Sequence, residues 1–84
     1  MNGKILSEAQ ALINGERSRD YGAPVESFNR IAAMWGAYLG RELAARDVAC
    51  MMVLLKLGRE AQGHKHDNLL DAAGYIGLAS DLAI

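Results

Sequence analysis

Eight consecutive apolar residues, Val48 to Leu55, constrain the fold of this chain more than any other feature. At helical spacing such a run places apolar side chains on nearly every side of one helix, and a helix of that kind belongs in the centre of a core. The run is too short to span a bilayer, which takes about 20 residues. Charge collects where it ends. Lys56, Arg59 and Glu60 close the same segment, Gly63-His64-Lys65-His66 form a short polar loop, and Asp67-Asn68-Leu69-Leu70-Asp71 begin the next segment. Ionic groups at the end of a core are tolerated only where they pair or bind something.

The 84 residues make a single domain, 1–84, with a core too small for a wide margin of stability. The hydrophobic share is 51% against 23% charged, which excludes disorder. An excess of Ala, Leu, Ile and Met without β-branched alternation points to helices. So much apolar residue in so small a chain predicts self-association as a homodimer or tetramer. A net charge of −1 argues against a nucleic-acid binder, which needs a basic patch or stripe. The one cysteine, Cys50, sits inside the apolar run and reads as a small buried hydrophobe of a reducing compartment. Residues 1–20 mix charges among their apolar positions and do not read as a signal peptide. The expectation is a cytoplasmic protein with no membrane partner.

Periodicity predicts four helices. The first covers Ile5–Arg19 with Ile5, Ala9, Leu12, Ile13 and Glu16 on one stripe, Gly15 weakening its last turns. Tyr21-Gly22-Ala23-Pro24 is a turn, and Pro24 suits the first position of the second helix, Pro24–Leu39. Val25, Phe28, Ile31, Ala32, Trp35, Tyr38 and Leu39 repeat there at close to 3.6 residues, and Gly40 marks the stop. The third helix is Ala44–Gln62. Asp67 is a natural N-cap for the fourth, Asn68–Leu82. The predicted fold class is all-α, a small antiparallel four-helix bundle. Trp35, Phe28 and the four methionines are expected in its core.

Asp67 and Asp71, four residues apart, share a helix face and suit a hard divalent cation such as Mg2+. The plainer reading makes Asp67 a cap and Asp71 a first-turn charge. Lys56 and Arg59 suit a polyphosphate, Arg by its planar fork and Lys as a point charge. Alternatively they reach to solvent or pair with Asp67 and Asp71. Glu60, four residues after Lys56, fits an ordinary surface pair with it. In Glu16-Arg17-Ser18-Arg19-Asp20-Tyr21-Gly22, Arg17 would face a phosphate and Tyr21 a base; otherwise the segment is a solvated helix end with Tyr21 sealing the core. His64, His66 and Asp67 fall short of the usual transition-metal ligand set. No nucleophile stands beside a base and there is no Walker-type glycine loop, which leaves metal-activated water as the available chemistry.

Taken in order, Glu16-Arg17-x-x-x-Tyr21-Gly22, Phe28, Trp35, Asp47-Val48, Met52, Lys56-x-x-Arg59 and Asp67-Asn68-x-x-Asp71-x-x-Gly74-Tyr75 resemble small phage and prophage proteins related to MazG-type all-α nucleoside triphosphate pyrophosphohydrolases. The resemblance runs from Ile5 to Ala79. It implies Mg2+ held by carboxylates of two helices, and water attack on the α-phosphorus that releases monophosphate and pyrophosphate. Asn68-Leu69-Leu70-Asp71 falls where that family carries Glu-x-x-Asp, so Asp71 matches and Asn68 does not, with Asp67 as a replacement ligand. On the preceding helix Lys56, Arg59 and Glu60 stand where acids are expected, and only Glu60 keeps the charge. The implied assignment gives Asp67, Asp71, Glu60 and Glu16 to the metal, with Asp47 as a further candidate. It gives Lys56, Arg59 and Arg17 to phosphate charge, and Tyr21 and Asn68 to base or sugar. Loss of the expected acids equally suits a module that binds nucleotide without turnover, or a helical interaction module of phage origin.

Overall fold

The computed structural model describes residues 1–15 and 24–82. Four helices account for most of them: α1 (Lys4–Asn14), α2 (Pro24–Leu39), α3 (Ala45–Gln62) and α4 (His66–Leu82), with no strand among the described residues. The all-α class and the helix order follow the sequence pattern. The turn at 21–23 and the residues Glu16, Arg17 and Arg19 lie outside the described residues.

Each boundary has a local cause. α1 stops at Asn14, five residues before the predicted Arg19. The chain leaves helical geometry at Gly15 (φ −113, ψ −133), where an added Cβ would stand 2.7 Å from the Ala11 carbonyl oxygen. α2 starts at Pro24 as predicted and ends in a Schellman motif. Gly40, at φ 69, donates its N–H to the Ala37 carbonyl at 3.4 Å, and the Arg41 N–H reaches the Gly36 carbonyl at 2.9 Å. α3 begins after Ala44, whose N–H is taken by the Asp47 carboxylate at 2.8 Å, while the Asp47 N–H donates to the Ala44 carbonyl at 3.0 Å. Asp47 therefore caps its own helix.

Two of the three packed pairs join helices consecutive in the chain, and one joins the first described helix to the last. α3 and α4 make the most extensive contact, α1 lies on α4, and α2 lies on α3. Phe28 of α2 also reaches Tyr75 of α4, with ring centroids 6.2 Å apart and planes 26° from parallel, a stacked arrangement. Where α1 meets α4, a Cβ on Gly77 would come 2.7 Å from the Ile13 Cδ1, so a bare backbone admits that side chain.

The central helix departs from expectation. Val48 and Ala49 are buried, and Met52 and Val53 are partly covered, but Cys50, Met51, Leu54 and Leu55 are exposed. Cys50 is thus a surface thiol rather than a buried hydrophobe. Met1, Met34 and Met51 are likewise exposed, so among the methionines only Met52 is drawn toward the core. The reason is geometric. Among the described residues α3 packs chiefly on α2 and α4, and two neighbours leave part of a helix that is apolar all round uncovered. No described helix is long and apolar enough to cross a membrane.

Candidate functional site

The α3–α4 seam holds the charged groups singled out in the sequence. Lys56, on the side of α3 that meets α4, places its Nζ 3.1 Å from the Asp71 Oδ2. Their side chains are 15% and 13% exposed, so both charges are largely withdrawn from water. Pairing is what makes that burial tolerable. Ala72, next to Asp71, is buried, and Tyr75, one turn further along α4, stacks on Phe28.

One turn beyond Lys56, Glu60 organises the connection between the two helices. Its Oε1 accepts the Lys65 backbone N–H at 2.9 Å and the Asn68 Nδ2 at 3.3 Å, while its Oε2 pairs with the His64 Nδ1. These bonds hold the Glu60 carboxyl below its ordinary value of 4.5, the His64 contact contributing most and the Lys65 N–H next. Hydrogen bonds to the ionised form favour it. Glu60 therefore does not pair with Lys56, as i,i+4 spacing suggested; the Lys56 ammonium goes across the seam to Asp71 instead.

The same contacts correct the start of α4. Glu60 satisfies the N–H of Lys65, the residue just ahead of the helix, so the cap comes from the preceding helix. α4 consequently opens at His66, two residues earlier than predicted, and Asp67 lies inside its first turn rather than at the N-cap. There it is exposed and complements the helix dipole. Next to it His66 Nε2 meets Glu8 Oε2 at 2.7 Å, tying α1 to the start of α4.

The structure thus brings together Lys56 with Asp71, and Glu60 with Asn68, along one seam. Arg59 is exposed and makes no ion pair among the described residues. Asp47 stands at the other end of α3 and is engaged with Ala44. Glu16, Arg17 and Tyr21 lie outside the described residues. Sequence spacing missed the Glu60 clamp, although the polar, His-containing loop after it was the available signal. It also missed the Glu8–His66 link, because no local pattern joins residues 58 apart. No group of three or more His, Cys, Asp or Glu side chains among the described residues is arranged to hold a metal ion.

Comparison with known proteins gives kinship without an activity. The chain is 44% identical over 82 residues to the Gene 55 protein of Mycobacterium phage L5, covering 95% of this chain and 53% of that protein. It is 45% identical over 78 residues to the Gene 55 protein of Mycobacterium phage D29, covering 92% and 52%. The chain thus spans about half the length of these curated relatives. No solved structure matches it. The phage kinship expected from the motifs is met by these relatives, while the wider likeness to pyrophosphohydrolases is not part of what they show. A family model described as "Domain of unknown function (DUF6378)" matches residues 4–83, nearly the whole chain, and the protein belongs to that family.

Proposed function

We propose that the α3–α4 seam binds a nucleoside triphosphate and hydrolyses it, with Mg2+, to a nucleoside monophosphate and pyrophosphate. The observation that carries this reading is the Lys56–Asp71 pair at 3.1 Å, a cation and a carboxylate held mostly out of water against α4. An ammonium in a site of low polarity counters phosphate charge far more strongly than one in bulk water.

Mg2+ prefers oxygen donors and settles for one or two carboxylates when substrate phosphates supply the rest. Asp71 and Asp67, four residues apart on α4, meet that minimum; Glu60 has both oxygens engaged by the turn and holds Asn68 in place. Bound there, the metal would supply charge neutralisation and an activated water. Lys56 would counter the charge gathering on the phosphates, with Arg59, exposed on α3, as a further cation and Arg17 as another candidate. Asn68 and Tyr21 are the candidates for sugar and base. In the reaction a water oxygen bonds to the α-phosphorus, the bond from that phosphorus to the α,β-bridging oxygen breaks, pyrophosphate departs, and the water gives up a proton.

The test is pyrophosphate release from each common triphosphate in the presence of Mg2+. Wild-type protein should release it, and Asp71→Asn, nearly isosteric, should reduce the rate by about 100-fold. No release from any triphosphate, or an undiminished rate in Asp71→Asn, would overturn the assignment. A second reading, a helical interaction module without turnover, is favoured by how fully Glu60 is engaged by its own turn. It predicts a melting temperature indifferent to Mg2+ and nucleotides alike.

A further inference from the structure

The buried apolar core among the described residues is Ala9, Ala32, Val48, Ala49 and Ala72, four alanines and one valine. Larger side chains remain outside it. On α2, Met34, Tyr38 and Leu39 are 67%, 91% and 55% exposed; on α3, Met51, Leu54 and Leu55 are 36%, 67% and 44% exposed. Met34 and Tyr38 are four residues apart, and Met51 lies three and four from Leu54 and Leu55, so each group shares a side of its helix, with Leu39 beside Tyr38. The two strips meet at an open hollow of about 300 Å3 lined by Trp35, Tyr38, Leu39 and Met51. Side chains of both helices thus line one hollow together, and none of the four is charged.

The surplus of exposed surface is more than one partner's share of a standard interface. The chain of 9.1 kDa exposes 6148 Å2. A compact monomer of that mass exposes roughly 4,900 Å2, which leaves an excess of roughly 1,200 Å2. Each partner in a standard interface contributes about 800 Å2. The radius of gyration, 13.3 Å, also exceeds the roughly 12 Å of a closed domain this long.

We propose that a second copy of this chain docks on this face, centred on Tyr38, Met51 and Leu54, to give a symmetric homodimer. Two physical arguments select a copy over an unlike partner. An uncharged face offers no electrostatic pattern by which to choose a different protein. A cover that so thin a core requires must also be present whenever the chain is, and another copy always is. In a twofold arrangement the same patch serves both partners, so a self-complementary apolar face suffices. The inference does not rest on the nucleotide reading.

Sedimentation equilibrium at micromolar concentration tests it. Wild-type protein should show twice the 9.1 kDa mass. Leu54→Glu and Tyr38→Glu should each weaken association by more than about 30-fold while keeping far-UV helicity, since both side chains are exposed in the single chain. Met34→Gln provides a milder variant should either one lose helicity. Cys50, one turn from Leu54 and exposed in the single chain, gives a second readout: its alkylation should be slower in wild type than in Leu54→Glu. A wild type at monomer mass would overturn the proposal and assign the face to an unlike partner. So would a dimer untouched by all three substitutions, or equal alkylation of wild type and Leu54→Glu.

Discussion

The polar end of the α3–α4 pair and the apolar flank of α2 and α3 are opposites in how their needs are met. At the polar end Lys56 finds Asp71, and Glu60 finds His64, Lys65 and Asn68, all within one chain. On the flank, much of the apolar surface of Tyr38, Leu54 and their neighbours is left to solvent. Hydrogen bonds and ion pairs are directional, and an unanswered buried charge costs several kcal/mol, so such groups must be matched where the chain places them. Apolar surface is indifferent to direction, and any apolar partner can cover it. Its cover can therefore be left to another molecule.

That contrast can be broken or sharpened by substitution. The largest effect belongs to Lys56→Met, which takes the ammonium away from a mostly buried carboxylate. Urea unfolding should show a loss of about 3 kcal/mol; a loss below about 1 kcal/mol would mean the pair is effectively a surface one. Gly36→Ala comes next. Its added methyl would lie 2.6 Å from the Arg41 carbonyl oxygen, so the link from α2 to α3 must shift, at about 2 kcal/mol. An unchanged midpoint would show that the link yields freely.

Glu60→Gln should lower the melting temperature by a few degrees at neutral pH. Because the folded carboxyl is held below 4.5, its contribution is complete above that value and fades as pH falls through the folded value. Wild type and variant should accordingly converge in acid and differ most near neutrality; a difference that grows in acid would refute the clamp. Smallest is Leu54→Gln, measured dilute enough that only single chains remain. There it should change stability by less than about 0.5 kcal/mol, since the side chain is already in water. A larger loss would place Leu54 inside the fold of the single chain.

Much of the helical framework was legible residue by residue. Pro24 and Gly40 set boundaries through backbone geometry that any surroundings would respect. The errors lie where a distant group supplied what a local one was expected to. Asp67 was read as the cap of α4, but Glu60 provides that cap across the turn, so α4 begins at His66. Glu60 was paired with Lys56 by spacing, but Asp71 attracts the lysine from another helix. The candidate site was legible as a convergence of charges at the α3–α4 seam, and the partners within it were not.

The amino-acid order alone determined the all-α class and the four helices of the described residues, because periodicity, caps and breakers act over a few residues. It also set an apolar excess beyond what four helices can enclose. Only the tertiary structure decided which charges meet and which side of α3 faces water. Both depend on how separate helices turn their sides toward one another when they pack, and the spacing within one helix does not encode that.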